Sequence, residues 1–420
     1  MEIYLVGGAV RDRLLGRPVH ERDWVVVGAR PEDMLARGFR MVGRGFPVFL
    51  HPETAEEYAL ARTERKDGHG HRGFTILSDP GVRLEEDLRR RDLTINAMAE
   101  DEDGRLVDPY GGCADLESRM LRHVSEAFVE DPLRVLRVAR FRAELAPWRF
   151  RIAPETHTLL RAMSASGELA ALTPERVGRE TLRALAAPQP SLFFTTLAEI
   201  GALGTLFPEL AALVGIAQEP RLHGGLDAWT HTLRVVDAAA AEKLPVSLVY
   251  ALLVHDLGQG APGHGEHDQR GTEPVHRLTA RLALGNDFRD LGLLAARAHL
   301  DAHRILILPS RLLLTRLEAA DLLRRKERAA ALATVARIDW HARPGWEEKP
   351  YPQGPYLIAL VEELANLRLP ATLRASPPAT IHAWFAHERR RRILLHRRHL
   401  PLRERVEARA VRRLYPLPQD

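Results

Sequence analysis

Two acidic residues near the N-terminus have the spacing of a metal site. Glu21 and Asp23 stand two apart at the entry to a predicted strand, Trp24–Val27, so the two-residue period of a strand places both carboxylates on one face. Such a pair suits two-metal phosphoryl transfer, in which Mg²⁺ ions activate an attacking hydroxyl and neutralise a leaving pyrophosphate. An isolated pair of this kind is more often a solvated acidic turn, so the assignment needs support from elsewhere in the chain.

A glycine turn precedes the acidic pair. Gly7 and Gly8 follow the predicted strand Ile3–Val6 and open a short predicted helix, Val10–Leu15. Glycines at such a turn let the backbone approach a polyphosphate closely, and the start of a helix offers unpaired N–H groups to an anion. The guanidinium of Arg11 can bind the same anion. A Gly-Gly pair alone usually makes only a tight loop.

A later predicted helix carries charged residues at a three-residue interval. Asp131, Arg134, Arg137 and Arg140 therefore share one helix face. A carboxylate can accept from the exocyclic amino group of a base and a guanidinium can donate to ring and carbonyl acceptors, so the first two residues could distinguish bases. The other two continue a ridge of arginines suited to a triphosphate. The commoner meaning of this spacing is an acid–base ladder on a surface helix.

Four motifs, taken in order, carry a family resemblance. They are Gly7-Gly8-x-Val10-Arg11-Asp12, Glu21-Arg22-Asp23, Arg90-Arg91-Asp92-Leu93-Thr94-Ile95-Asn96-Ala97 and Glu130-Asp131-Pro132-Leu133-Arg134. The sequence resembles the bacterial class II tRNA nucleotidyltransferases, which comprise the CCA-adding enzymes and their poly(A) polymerase relatives, and it is most similar to the multifunctional CCA-adding proteins with an HD domain. The resemblance implies an α+β fold, with a small mixed α/β head followed by all-helical domains that include an HD domain.

The resemblance also implies a role for each matching residue. The residues that would make up the nucleotide site are Gly8, Arg11, Arg91, Asp92, Asn96, Arg137 and Arg140. Glu21 and Asp23 would bind Mg²⁺ for catalysis, and Asp131 and Arg134 would choose between C and A in place of a template strand. Family members usually carry Asp at the first metal position. Glu21 is one methylene longer, and we expect function to be retained with an altered metal preference.

A second group of metal-binding residue types lies in the helical half. His231 lies on the first turns of a predicted helix, and the apolar predicted helix Val246–Val254 ends in His255-Asp256. Neutral imidazoles and carboxylates suit a divalent transition metal, and such a metal can generate hydroxide to attack a phosphate ester. Each histidine taken singly could instead cap a helix or line a surface.

This second group resembles the HD-domain phosphohydrolases. The resemblance implies a transition metal such as Ni²⁺ or Mn²⁺, with the ligands His231, His255, Asp256 and Asp321. His299 and His303 could complete the site or bind phosphate. HD members of the family remove 2′,3′-cyclic phosphates and 2′- or 3′-phosphates, so we expect cyclic phosphodiesterase, 2′-nucleotidase and phosphatase activities.

Length and composition limit the number of domains and the kinds of protein that this chain can be. A chain of 420 residues, 45% of them hydrophobic, is long enough for two or three domains. We expect a head at 1–125, a helical neck and body at 126–222, an HD domain at 223–340 and a helical tail at 341–420. Cys113 is the only cysteine, which excludes an internal disulfide and a cysteine zinc cluster. No apolar run is long enough to span a membrane, so we expect a cytoplasmic protein that is a monomer or homodimer.

The favoured hypothesis is an enzyme that adds C, C and A to the 3′ end of tRNA from CTP and ATP, and three alternatives stay open. A poly(A) polymerase usually lacks an HD domain, so His255-Asp256 argues against it. A tRNA-binding protein with a degenerate transferase site is opposed by the intact Glu21, Asp23 and Arg91. In the third alternative, the hydrolase is the main activity and the transferase half only binds RNA.

Overall fold

The computed structural model describes residues 1–42, 47–66, 74–77, 79–261, 270–400 and 412. The chain divides into two compact units, the first made of residues 1–184 and 192–206 and the second of residues 185–191 and 207–420. No helix in the described ranges is both long and apolar enough to cross a membrane. The four-part division expected from the sequence stays a prediction, and nearly all of its tail beyond residue 400 lies outside the described residues.

The first unit is built on a mixed β-sheet. Its described strands are β1 Glu2–Val6, β2 Asp23–Val27, β3 Arg40–Val42, β4 Val48–Leu50, β5 Glu57–Leu60, β6 Thr63–Lys66, β7 Phe74–Leu77, β8 Ala99–Glu100, β9 Leu106–Val107, β10 Met120–Leu121 and β11 Arg151–Ile152. The main sheet has the order β3-β4-β5-β2-β1-β8-β9, while β6 pairs with β7 and β10 with β11. Strands β2 and β5 run parallel, and the other neighbours in the main sheet run antiparallel.

The first unit also contains α-helices. They are α1 Gly8–Leu14, α2 Pro31–Ala36, α3 Leu84–Arg89, α4 Gly112–Ser118, α5 Leu133–Glu144, α6 Pro154–Ala165, α7 Pro174–Leu185, α8 Ser191–Glu199 and α9 Leu203–Leu206. Successive residues of β2 point to opposite faces. Val25 accordingly packs in one hydrophobic cluster with Leu88 of α3, and Val26 packs in another with Met34 of α2. The sheet is therefore buried on both sides, which fixes its register.

That register places the glycine turn beside the acidic pair. Val6 of β1 lies opposite Asp23 of β2, so the turn that follows Val6 is next to the first residue of β2. Gly7 has φ +73° and ψ −129°, a conformation that only glycine adopts readily. A Cβ at Gly7 would lie 2.8 Å from Nη1 of Arg91. Gly7 thus turns the chain into α1 and leaves room for Arg91.

The second unit is helical throughout its described part. Its helices are α10 Pro208–Ala211, α11 Pro220–His223, α12 Ala228–Ala241, α13 Val246–Val254, α14 Thr272–Arg281, α15 Asn286–Arg304, α16 Ser310–Ala319, α17 Glu327–His341, α18 Gln353–Ala365 and α19 Pro378–Arg398. Helix α13 packs against α12, α15 and α17, and its residues 249–254 are at most 1% exposed. A helix that is apolar on every side is buried on every side. Its C-terminal end therefore delivers His255 to the interior.

Most elements match the sequence predictions closely. The mixed α/β head followed by helices is confirmed, and β1, β2 and α1 lie within two residues of their predicted bounds. Helix α13 has the predicted bounds, Val246–Val254. One prediction is wrong: a short strand, β11, follows α5 in the part of the chain where only helices are predicted, and it pairs with β10.

We expect Gly7→Ala to lower the thermal stability of the first unit more than Gly111→Ala does. Both glycines have φ +73°, but Gly111 has ψ +28° in the left-handed helical region, where an L-residue costs roughly 1–2 kcal/mol. The ψ of Gly7 lies outside that region, and alanine there would cost up to about 3 kcal/mol. The Tm of each variant, measured by circular dichroism, tests this difference. A smaller loss for Gly7→Ala than for Gly111→Ala would contradict it.

Candidate active site and histidine cluster

The structure brings Glu21 and Asp23 together beside the glycine turn. Asp23 is the first residue of β2, and Glu21 precedes it in the segment that follows α1. Partial burial raises the pKa of Asp23 above its ordinary value, Arg91 opposes the rise and Glu21 adds to it. Repulsion between neighbouring carboxylates is relieved when a divalent cation binds between them. The pair therefore fits Mg²⁺. Asp23 lies within β2 and Glu21 lies just before it.

A continuous chain of hydrogen bonds joins α1 to α5. Nη1 of Arg11 donates to Oδ1 of Asn96 at 2.7 Å, and Nδ2 of Asn96 donates to Oδ1 of Asp92 at 3.0 Å. Nε of Arg137 donates to Oδ2 of Asp92 at 2.7 Å. Burial alone would raise the pKa of Asp92, but Arg137 and the hydrogen bonds hold that pKa below its ordinary value. These four residues, each predicted from the sequence, are thus in direct contact.

Gly8 and Arg91 lie at the same turn. Gly8 is the first residue of α1, so its N–H has no partner within the helix and stays available to an anion. Nη1 of Arg91 lies against the backbone of Gly7, in the space that the missing side chain leaves. An arginine and a free helix N-terminus therefore meet where the sequence predicts a polyphosphate.

Two residues that the sequence analysis missed hold the arginine ridge of α5. Glu180 of α7 is buried, and its Oε2 accepts from Nε of Arg140 at 2.6 Å while its Oε1 lies 4.0 Å from Nη1 of Arg137. Nη2 of Arg176 donates to Oδ2 of Asp131 at 2.7 Å. Arg176 and Glu180 are four residues apart and so share one face of α7. That spacing is the signal that could have paired α7 with α5.

Arg134 is more buried than its predicted contact with a base suggests. Its side chain has 8% exposure, and its Nη1 and Nη2 donate to the carbonyl oxygens of Ala127 and Arg90 at 2.8 and 2.6 Å. Backbone contacts from two segments therefore fix the plane of the guanidinium. Asp131, the other residue predicted to read the base, has extended backbone and lies two residues before α5, so the predicted helix face does not include it. Its carboxylate is held by the side chain of Arg176.

Buried imidazoles and a carboxylate meet in the second unit. Ligand-type atoms of His231, His255 and Asp339 all lie within 4.8 Å of one another. Nε2 of His231 lies 2.7 Å from Oδ1 of Asp339, and Nε2 of His255 lies 3.5 Å from Oδ2 of Asp256. Nε2 of His255 has no hydrogen-bond partner among the described residues. Burial lowers the pKa of His255, which keeps its imidazole in the neutral form that binds metals. These donors suit a divalent transition metal.

The structure does not bring Asp321 into this cluster. Asp321 lies in the turn after α16 at φ +57°, pairs with Arg324 and is 31% exposed. The carboxylate in the cluster is Asp339 of α17, which is 1% exposed. The prediction of Asp321 as a ligand is therefore wrong. Spacing along the chain did not reveal which of the later helices packs against α13.

His299 and His303 contact Asp256 and Asp339, respectively. Nε2 of His299 lies 3.4 Å from Oδ1 of Asp256, and Nε2 of His303 lies 2.6 Å from Oδ2 of Asp339. The same oxygen of Asp339 accepts from Nη2 of Arg343 at 2.8 Å. His303 and Arg343 thus hold one oxygen of Asp339, and the other oxygen faces His231.

We expect Asp92→Asn to remove a pH-dependent part of the stability of the first unit. Because the folded chain lowers the pKa of Asp92, its ionised form stabilises the fold at neutral pH, on the order of 3 kcal/mol for a buried pair. This contribution decreases as the pH falls below the ordinary Asp pKa of about 3.9 toward the lower folded value. The Tm difference between the wild-type chain and Asp92→Asn should accordingly be smaller at pH 3 than at pH 7. A difference that is the same at both pH values would contradict the assignment.

Comparisons with known proteins agree with this geometry. The family model of the Poly A polymerase head domain matches residues 3–122, and that of the probable RNA and SrmB-binding site of polymerase A matches residues 149–213. The multifunctional CCA protein of Thioalkalivibrio sulfidiphilus (strain HL-EbGR7) is 53% identical over 365 residues, which are 86% of this chain and 89% of the relative. That of Pseudomonas aeruginosa (strain LESB58) is 51% identical over 86% of this chain and 90% of the relative.

Solved structures show the same fold. The Bacillus stearothermophilus CCA-adding enzyme in complex with CTP superposes with a TM-score of 0.60 at 29% identity, covering 92% of this chain and 89% of that one. The Thermotoga maritima CCA-adding enzyme complexed with tRNA_CCA superposes with a TM-score of 0.63 at 18% identity, covering 98% of this chain and 90% of that one. At this identity the likeness supports the fold alone. The multifunctional CCA proteins of Thioalkalivibrio sulfidiphilus and Pseudomonas aeruginosa are 53% and 51% identical to this chain over 86% of its length. The protein therefore belongs to the family of multifunctional CCA proteins.

Proposed function

We propose that this protein builds or repairs the 3′-terminal CCA of tRNA by template-independent addition of nucleotides from CTP and ATP. The observation that carries the proposal is the hydrogen-bonded chain Arg11–Asn96–Asp92–Arg137 beside the carboxylates of Glu21 and Asp23. It supplies cationic groups for a triphosphate next to a pair that fits Mg²⁺. Relatives named for CCA addition share about half of the sequence. We expect the protein to act in the cytoplasm, where its tRNA substrate is.

Glu21 and Asp23 would hold the magnesium. When bound there, Mg²⁺ would supply the Lewis acid that favours attack by the tRNA 3′-hydroxyl and departure of pyrophosphate. The N–H of Gly8 and the guanidinium groups of Arg11 and Arg91 would bind the triphosphate, because they converge on the turn after β1. Their task is to orient the α-phosphorus toward the hydroxyl, a positioning role that accounts for much of phosphoryl-transfer catalysis.

The residues of α5, together with Asp131 just before it, would bind the rest of the nucleotide. Arg137 and Arg140 are held by Asp92 and Glu180 and would complete the nucleotide site, with Asp92 and Asn96 at its ribose end. Asp131 and Arg134 would choose between C and A through the acceptor and donor edges that they present. The contacts from Arg176 and from backbone carbonyls support this role, because a rigid edge discriminates between bases better than a mobile one.

A second activity is proposed for the helical unit, namely metal-dependent hydrolysis of 2′,3′-cyclic, 2′- and 3′-phosphates by an HD domain. His231, His255, Asp256 and Asp339 would hold a metal such as Ni²⁺ or Mn²⁺, and the unpaired buried Nε2 of His255 fits that role. The bound metal would supply an activated water for attack on the phosphate ester. The protein would keep Asp339 in place through His303 and Arg343, and Asp256 through contact with His299.

The transferase proposal is tested with a tRNA that lacks its last three nucleotides. Incubated with Mg²⁺ and labelled CTP and ATP, the wild-type chain should add C, C and A in that order, with pyrophosphate released. Asp23→Ala should lower the rate by at least about a thousandfold, since it removes a metal ligand, and should leave hydrolysis of a cyclic phosphate intact. A long A tract would instead identify a poly(A) polymerase. Hydrolysis of a 2′,3′-cyclic phosphate with Ni²⁺ or Mn²⁺, without any nucleotide addition, would identify a hydrolase alone.

The hydrolase proposal is tested with a matched pair of aspartates. Asp339→Asn should weaken binding of Mn²⁺ or Ni²⁺ by roughly 100-fold or more in calorimetry and abolish hydrolysis of 2′,3′-cyclic AMP to the 2′- or 3′-monophosphate, because it removes a ligand of the cluster. Asp321→Asn serves as the control and should leave both unchanged, since Asp321 is exposed and pairs with Arg324. Full metal binding by Asp339→Asn would exclude this ligand set.

A further inference from the structure

We infer that Asp87 is a positioning residue of the nucleotide site, which fixes the guanidinium of Arg91 over the glycine turn. Asp87 lies on α3 and does not reach the turn itself, so it would act on the triphosphate through Arg91. The inference rests on the proposed nucleotidyl transfer and adds a residue outside the four motifs.

Asp87 is the fully buried acceptor for two consecutive arginines. Its side chain has 0% exposure. Oδ1 accepts from Nη2 of Arg90 at 2.6 Å and from the backbone N–H of Arg62 at 3.3 Å. Oδ2 accepts from Nη2 of Arg91 at 3.3 Å. A buried carboxylate is tolerated only when it is paired and hydrogen-bonded, and these contacts meet that condition with one oxygen for each arginine.

Each arginine has a separate position. Arg90 turns back toward the segment before β6, because its Nε also contacts the carbonyl oxygen of Arg62. Arg91 points the other way, with Nη1 in the space that a side chain at Gly7 would fill. Arg91 is also close enough to Asp23 to lower the pKa of that carboxyl. The guanidinium therefore lies between the metal-binding pair and the start of α1, the place where a triphosphate would need it.

The contact with Asp87 decides which way this guanidinium faces. Arg91 has four rotatable side-chain bonds, and without a fixed acceptor behind it the side chain would lose rotamer entropy on binding the nucleotide. Burial alone would raise the pKa of Asp87, but pairing with Arg90 and Arg91 holds that pKa below the ordinary value, so the carboxylate is ionised at neutral pH. Its hydrogen bonds keep it in place. An ionised, immobile acceptor is what a positioning role requires.

The test is steady-state addition of CTP to the truncated tRNA by the full chain. Asp87→Asn keeps the size of the side chain but weakens both arginine contacts. It should raise KM for CTP roughly 10-fold and change kcat by no more than about threefold, since a contact to the triphosphate is made in the ground state and the transition state alike. Asp87→Glu, which keeps the charge but displaces the carboxylate, should raise KM with a smaller loss of Tm.

A double-mutant cycle separates positioning from general stability. In an Arg91→Met background, Asp87→Asn should raise KM by no more than about twofold, because Asp87 acts on the triphosphate through Arg91 and that arginine is already absent. In an Arg90→Met background its effect on KM should persist. Asp115→Asn is the matched control, since Asp115 is a buried aspartate paired with Arg122 at 3.0 Å. It should lower Tm and leave KM unchanged.

The outcomes distinguish this inference from the proposed function. If the wild-type chain adds nucleotides but Asp87→Asn and Asp87→Glu leave KM unchanged, or raise it equally with and without Arg91, the positioning role is refuted while the transferase stands. If the wild-type chain adds no nucleotide, the proposed function fails and the inference fails with it. Should Asp87→Asn not fold, the KM of Asp87→Glu with and without Arg91 decides the matter.

Discussion

The ionised, buried carboxylate of Asp92 is the interaction on which the N-terminal site depends. An ionised group at 6% exposure destabilises a fold by several kcal/mol unless hydrogen-bond donors surround it. Here Arg137 comes from α5, while Asn96 and the amide of Leu93 come from the segment before β8. The charge of Asp92 is therefore paired only when α5 packs against the segment before β8. The same packing orients Arg11, because Asn96 accepts a hydrogen bond from it.

The second unit uses the same physical device around Asp339. That carboxylate is 1% exposed. Arg343 and His303 contact one of its oxygens and His231 contacts the other. Two constraints bring it there. Helix α13 is apolar on every side and so lies at the centre, with His255 at its end, and α17 packs along it. The burial of α13 and its packing against α17 bring His255 and Asp339 together. The contacts of Asp339 with Arg343, His303 and His231 then orient its carboxylate.

The sequence was most informative where chemistry is local. Gly8, Arg11, Glu21 and Asp23 lie within a strand–turn–helix–strand unit, whose register follows from two-residue periodicity and short connections. Ordered motifs then identified Arg91, Asp92, Asn96 and the arginines of α5. Two things did not follow. The choice of Asp339 over Asp321 depends on which distant helix packs against α13, and this packing leaves no periodic signal along the chain. The partners Glu180 and Asp87 depend on tertiary packing, and of these two only Glu180 has a sequence signal, its four-residue spacing from Arg176.

The pairing of β1 with β2 has a consequence for how this chain can vary in length. The turn at Gly7 and the metal-binding Asp23 are neighbours because Val6 and Asp23 are opposite one another, whatever the course of the residues between them. The segment from residue 15 to residue 20, which joins α1 to the acidic pair, belongs to no strand, and the entropic cost of closing a connecting loop grows only slowly with its length. Insertions between residues 15 and 20 would leave the glycine turn adjacent to Asp23. A single residue gained or lost within β1 would instead turn the side chains beyond that point to the opposite face of the sheet.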